Sequence, residues 1–242
     1  MLSQLLEAFS TGDKDSIILT IIMLLLTLPI VLLSLSLHEA AHAFAAHKLG
    51  DRTARNLGRL TANPAKHLDP LGALCMFLFG VGWAKPVPIN ARNFKNPKWG
   101  MAISAFAGPL CNLLLSLVGA VFCQLTFRVI PLVCDTFIPF FYAGMPASNM
   151  IMLIFALFFE LFAYYNAALA IFNLLPIPPF DGSRLAFVFL PDRWYFEIMK
   201  YERYIMLALL ILLATDILAL PISNGANAIT DFFFKITSFI GG

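Results

Sequence analysis

The sequence predicts an all-α polytopic membrane protein: about four transmembrane helices, plus one re-entrant element on the cytoplasmic side for which a β-hairpin is one admissible form. Three observations carry that prediction. Hydrophobic residues fill 60% of the 242 positions and charged residues 12%, with a mean hydropathy of +0.83, whereas a soluble domain carries roughly 25% charged residues. Ile17 to Leu37 contains no charged side chain over a length that crosses a bilayer. Basic residues crowd between Lys48 and Lys98, while Arg128 is the only one from there to Asn149, the asymmetry of loops on opposite sides of a membrane. The net charge of +2 is too small to suggest nucleic acid as a partner. No polar segment is long enough for a separate soluble domain, so residues 1–242 are expected to form one membrane-embedded domain. Cys75, Cys111, Cys123 and Cys134 form no CxxC pair and read as small buried hydrophobes without a disulfide framework.

Met1 to Asp15 has too few apolar positions for a span and is expected at the membrane surface, with Ser16 as a helix N-cap. The first span runs from about Ile17 to Leu49, and Gly50 offers the stop. Its long apolar run without a basic leader argues for an uncleaved start over a signal peptide. Basic residues on both sides of Leu71 to Trp83 place that short apolar stretch on the cytoplasmic side as a re-entrant hairpin. Its return limb, Trp83 to Asn90, alternates as an extended segment, and Pro86 and Pro88 confine it to a sheet edge or a surface loop. The second span, about Met101 to Phe127, contains Ala107-Gly108-Pro109-Leu110-Cys111-Asn112, where small residues allow close helix approach and Asn112 must find a partner inside the bundle. The third span, about Asn149 to Leu175, carries Glu160, Asn166 and Asn173. It breaks at Leu175-Pro176-Ile177-Pro178-Pro179-Phe180-Asp181-Gly182, irregular backbone of a kind tolerated near a bilayer only where it is buried or lines a cavity. Arg184, Arg193, Lys200 and Arg203 return the chain to the cytoplasmic side, and a last span from about Tyr204 to Leu220 places both termini outside.

Chemistry concentrates at Ser36-Leu37-His38-Glu39-Ala40-Ala41-His42, at the end of the first apolar run. On a helix, His38 and His42 are four residues apart and share a face, so both imidazoles can close on one zinc ion. Glu39 points about 100° away from His38, outside the ligand face but within reach of a water activated by the metal. An HExxH on a solvated helix arises easily by chance, but here it continues a membrane helix, where ionisable side chains are costly and functional by default. The arrangement is that of a zinc hydrolase, with the metal acidifying water and the carboxylate taking its proton. His47 follows His42 by five residues without the intervening glycine, so the longer metzincin pattern fails. At about 1.5 Å per residue, His38 lies roughly 30 Å beyond Ile17, toward the far leaflet.

HEAAH, together with Asn173-Leu174-Leu175-Pro176-Ile177-Pro178-Pro179-Phe180-Asp181-Gly182, resembles the site-2 protease (M50) family of intramembrane zinc metalloproteases, and AGPLCN at Ala107 to Asn112 is similar to a third signature of that family. The resemblance covers about Ser34 to Arg184 and is to the minimal branch without PDZ or CBS domains. It implies one zinc ion per chain, with His38 and His42 as ligands, Asp181 as third ligand, Glu39 as general base and Asn173 as a helper near the reacting carbonyl. Topology agrees independently, because two antiparallel crossings return Asp181 to the membrane face that holds His38 and His42. Among the other acidic or imidazole candidates, His47 and Glu160 are misplaced for the pair, and His67 and Asp69 read as a turn entering the hairpin.

The function expected from this reading is hydrolysis of peptide bonds within or near transmembrane segments of other membrane proteins. Its partners are those segments and the lipid bilayer. The extended limb at Val87 to Ile89 is a candidate for holding an unwound substrate by strand addition. The expected location is a prokaryotic cytoplasmic membrane, with the active site toward the cytoplasmic side. Two rival readings use the same ligands: a catalytically inactive zinc-binding scaffold, which has no need of Glu39, and a metal or ion transporter, whose sites usually recur across internal repeats that this chain lacks.

Overall fold

The computed structural model describes residues 9–10, 12–70, 72, 84–129, 147–191 and 217–241, with isolated positions between 197 and 212. Among the described residues, three helices are long and apolar enough to cross a membrane: α1 (Lys14–Lys48), the long helix Pro97–Val129 and the helix Ala147–Leu174. Short helices α2 (Thr53–Asn56) and α3 (Pro64–His67) follow α1, so the two later long helices are α4 and α5. A short helix α6 (Asp181–Phe187) and a helix α7 (Ala219–Gly241) complete the described elements. Multiple long apolar helices and side chains such as Leu25, Leu114 and Ile151 turned outward are the surface of a multi-pass membrane protein, because lipid accepts what water would not.

The N-terminal cap of α1 differs from the expected one. Asp13 accepts hydrogen bonds from Ser16 N (3.1 Å) and Ser16 Oγ (2.5 Å), so the aspartate caps the helix and Ser16 already lies inside it. At the other end, Gly50 adopts φ 111°, a conformation that costs a side-chain-bearing residue strain, and α1 stops at Lys48. The expected re-entrant stretch Leu71 to Trp83 and much of the expected span Tyr204 to Leu220 lie outside the described residues.

Helix α4 occupies the centre and packs on α1, α5, α6 and α7. Close crossing depends on small residues: a Cβ at Gly119 would lie 2.8 Å from Ala163 N, and Ala102, Ala105, Ala120, Ala156, Ala163, Ala167 and Ala170 are buried. Helix α7 runs beside α4 and α5, with Gly225 against Ile171 and Gln124 Nε2 donating to Phe234 O at 3.4 Å. This helix, 219–241, follows the expected last span of about 204–220, much of which lies outside the described residues. Its hydroxyl side chains are satisfied locally, as where Thr230 donates to Ala226 O (2.9 Å) and Thr237 to Phe233 O (2.7 Å).

At the Lys48 end, Ala84 to Asn90 is an extended segment pinned from three sides. Lys85 N donates to His67 O (2.8 Å), Arg59 Nη2 donates to Lys85 O (2.6 Å), and Asn90 N donates to Asp51 Oδ2 (2.7 Å). Among the described residues the only β pairing is the isolated antiparallel bridge between Leu68 and Ala84, so the segment is held mainly by side chains. Pro86 and Pro88 have no N–H to offer a ladder, which suits this arrangement. Val87 is buried with Ala43 and Ala54, seating the segment on α1 at the residue that follows the HEAAH motif. Asp51 is fully buried and also accepts from Thr53 N, Thr53 Oγ1 and Asn93 Nδ2. Burial favours its neutral form, but the hydrogen bonds from Thr53, Asn93 and Asn90 outweigh burial and hold the carboxyl below the ordinary carboxylate value.

Candidate metal centre

His38 and His42 lie in the last turns of α1, both buried, on the face turned to α4. That contact requires Gly108, because a Cβ there would lie 2.5 Å from His42 Nε2 and 2.6 Å from His38 Cε1. The glycine of AGPLCN therefore lets α4 lie directly over the two rings.

Asp181 arrives from the break after α5. Phe180 is buried against Phe172, with ring centroids 4.3 Å apart, and anchors the turn. Gly182 follows where a Cβ would stand 2.6 Å from Leu175 O, so the backbone folds tightly back on the end of α5. The turn aims Asp181 Oδ2 at both rings, 3.1 Å from His38 Nε2 and 3.1 Å from His42 Nε2. The two Nε2 atoms are 2.9 Å apart, with the ring planes at 90°. One ligand atom from each of the three residues lies within 4.8 Å of the others.

The outer nitrogens of both rings are engaged. His42 Nδ1 is 2.7 Å from Ser104 O, a backbone carbonyl that can only accept, so Nδ1 carries the proton and Nε2 presents its lone pair. His38 Nδ1 is 2.5 Å from Asn112 Oδ1. Two imidazole lone pairs and a carboxylate oxygen thus converge on one point, an arrangement that repels itself without a cation. A His, His, carboxylate set with the second histidine nitrogens hydrogen-bonded is the donor chemistry of zinc. The residues fit the metal.

Glu39 is outside this cluster, and its Oε2 accepts from Val87 N at 2.8 Å. The extended segment and the HEAAH helix are joined at that carboxylate. Asn173 donates to Leu169 O at 2.9 Å, one turn back in its own helix, and makes no hydrogen bond to the cluster among the described residues. His67 Nε2 bonds Thr61 O (2.8 Å), and Asp69 Oδ1 accepts from Gly72 N (3.0 Å). Those contacts are local turn contacts, and neither residue joins His38 and His42. His47 Nε2 stands 3.3 Å from Arg55 Nη1, and Glu160 is exposed farther along α5. The expected partner for Asn112 is present twice over, since it meets His38 on one side and donates to Asn166 Oδ1 (2.8 Å) on the other. The contacts of His42 with Ser104 O and of Glu39 with Val87 N had no signal in the sequence, because each uses a backbone group distant along the chain.

Comparison with known proteins agrees with this geometry. The model of peptidase family M50 matches residues 26–213. A Bacillus subtilis (strain 168) protein named "Putative zinc metalloprotease YwhC" is 35% identical over 215 residues, covering 87% of this chain and 90% of its own length. "Putative zinc metalloprotease Rip2" of Mycolicibacterium smegmatis is 34% identical over 92 residues, covering 36% of this chain and 35% of its own. No solved structure matches the chain significantly. Because the matched region takes in His38, His42 and Asp181, and YwhC is similar along nearly its whole length, the chain belongs to peptidase family M50, the site-2 proteases, and is a membrane zinc metalloprotease.

Proposed function

We propose that the protein is an intramembrane protease that hydrolyses peptide bonds within or near transmembrane segments, with His38, His42 and Asp181 holding one zinc ion. The observation that carries this reading is the convergence of the two Nε2 atoms and Asp181 Oδ2 at the end of a membrane-length helix. Zinc held there supplies Lewis acidity that brings the pKa of water toward roughly 7 and polarises a carbonyl oxygen. Asp181 neutralises charge and His38 and His42 fix the geometry.

Glu39 is the general base. Val87 N–H holds its Oε2 and orients the carboxylate, leaving Oε1 to take the proton of the attacking water. Asn173 assists near the reacting carbonyl by exchanging Leu169 O for the developing oxyanion. An unchanged kcat in Asn173→Ala would remove it from the reaction.

Substrate class follows from depth. A site at the end of α1 meets transmembrane segments whose helical peptide bonds are shielded, so they must unwind before attack. The pinned segment Ala84 to Asn90, joined to Glu39 through Val87, is suited to receive such an unwound strand along its edge. The basic loops around Arg52, Arg55, Lys66 and Arg92 support a cytoplasmic orientation for this face. Purified protein in lipid nanodiscs with a model single-span substrate provides the test. Cleavage inside or beside the span that stops with chelator and returns with zinc is the expected result. Retained zinc without cleavage of any membrane substrate would point to the scaffold reading, and metal flux without cleavage to the transporter. Single cysteines at Arg55 and Met145 should label from opposite sides of the membrane, and labelling from one side would overturn the orientation.

A further inference from the structure

Resting on the reading of His38 as a ligand through Nε2, we infer that Asn112, Asn166 and Ser34 form a one-way hydrogen-bond chain that sets the tautomer of His38. Asn166, which does not touch the ring, is then a positioning residue for the metal centre. The chain crosses three helices. His38 Nδ1 stands 2.5 Å from Asn112 Oδ1 on α4, Asn112 Nδ2 donates to Asn166 Oδ1 on α5 (2.8 Å), and Asn166 Nδ2 donates to Ser34 Oγ back on α1 (2.9 Å). Asn112, Asn166 and Ser34 are all fully buried, so no water competes for these groups.

The direction of the chain is fixed at its far end. Asn166 Nδ2 also donates to Phe162 O at 2.9 Å, and a backbone carbonyl can only accept. Asn166 must therefore turn Oδ1 toward Asn112. Asn112 must answer with Nδ2, which leaves Oδ1 for the histidine. Facing an acceptor, His38 Nδ1 carries the proton and Nε2 is left with a lone pair directed at Asp181. A neutral imidazole in water favours the opposite tautomer, with the proton on Nε2, where it would block a metal. The two ligands are thus prepared differently: His42 rests directly on the Ser104 carbonyl, which no side-chain change removes, whereas His38 depends on two side-chain amides.

The competing reading is that Asn112 and Asn166 only fasten helices together, as buried asparagines in membrane bundles commonly do. Fastening does not choose a tautomer, and that separates the two. The full-length protein in detergent would be measured three ways: zinc affinity by competition with a chromophoric chelator, 15N-histidine spectra of the metal-free protein, and thermal melting. Wild type should bind zinc and show His38 protonated on Nδ1. Asn166→Leu frees the Asn112 amide to turn, and the zinc Kd should rise about tenfold to a hundredfold, the usual cost of losing support for a ligand. The His38 spectrum should then show both tautomers. Asn112→Asp keeps an acceptor against Nδ1 but sets a carboxylate oxygen against Asn166 Oδ1, so its His38 spectrum should stay purely Nδ1–H even as its melting temperature falls, whereas Asn112→Leu should match Asn166→Leu. The double Leu variant should be no worse than Asn112→Leu alone, because the residues act in series. Should the Leu variants fail to fold, Asn166→Ser removes the same amide with a small polar side chain and should still raise the Kd and mix the tautomers, while Ser34→Ala, which leaves Phe162 O to orient the Asn166 amide, should keep His38 protonated on Nδ1. A lowered melting temperature with wild-type Kd and a pure Nδ1–H spectrum in Asn166→Leu, or in Asn166→Ser where the Leu variants do not fold, would overturn the inference. Failure of wild type to bind zinc would instead sink the metal reading, while the metal-free spectra would still decide the tautomer.

Discussion

Gly108→Ala is a one-carbon change whose effect can be worked from the contact between α1 and α4. The added Cβ would stand 2.5 Å from His42 Nε2 and 2.6 Å from His38 Cε1, whereas non-bonded carbons rest about 3.5–4.0 Å apart. Relieving the clash requires roughly 1 Å of movement, by parting the helices or by rotating rings that Asn112 and Ser104 hold in place. Overpacking of this kind costs about 1–3 kcal/mol of stability. A displacement of about 1 Å at reacting groups costs on the order of 100-fold in rate. Gly119→Ala supplies the control, since its Cβ would meet Ala163 N at 2.8 Å, a comparable clash away from the ligands. The assay is cleavage of a model transmembrane substrate in nanodiscs, with zinc content and melting temperature read on the same samples. Both variants should melt lower, and only Gly108→Ala should lose about two orders of magnitude in activity together with zinc. Activity within about threefold of wild type in Gly108→Ala would refute the reasoning, and equal losses in the two variants would reduce it to a stability effect.

Two further outcomes follow from the same geometry. Asp181→Ala should lower zinc stoichiometry and abolish cleavage, whereas Asp69→Ala, which removes a turn contact to Gly72 N, should keep its zinc; metal analysis of both proteins decides, and the reverse pattern would dislodge the third ligand. Asp51 should make the anchoring of Ala84–Asn90 depend on acid. Its folded carboxyl lies below its ordinary value of about 4, so its contribution is fully present above that value and is lost as pH falls through the lower folded one. The melting-temperature advantage of wild type over Asp51→Asn should accordingly shrink below about pH 4, and an advantage that grows as pH falls would contradict the assignment.

The features legible in the sequence were those with local signals. Uninterrupted apolar runs marked α1, α4 and α5, Gly50 marked the end of α1, and HEAAH placed two imidazoles on one helix face through helical spacing alone. The N-cap was misplaced because Asp13 and Ser16 are both good caps, and only the conformation shows which oxygen accepts the hydrogen bonds. Helix α7 escaped notice because Asn224, Asn227, Asp231 and Lys235 dilute its hydropathy, and its fit depends on Gly225 meeting Ile171, a contact no window of neighbouring residues contains. The support of the site is non-local in the same way. Asn112 was visible as a polar residue in need of a partner, but its pairing with His38 joins positions 74 apart, and Glu39 meets Val87 across 48. Asn173 shows the converse, a residue that a motif singles out while its amide is bonded within its own helix.

The central claim, that this is a protease whose Glu39 moves a proton at a metal centre built by other residues, is tested most directly by Glu39→Gln. Glu39 lies outside the His38–His42–Asp181 cluster, so the variant should bind zinc at wild-type stoichiometry and melt close to wild type. With no carboxylate to accept the proton, cleavage of the model transmembrane substrate should fall by about 100-fold to 10,000-fold. Turnover near the wild-type rate in a zinc-loaded Glu39→Gln protein would contradict the account.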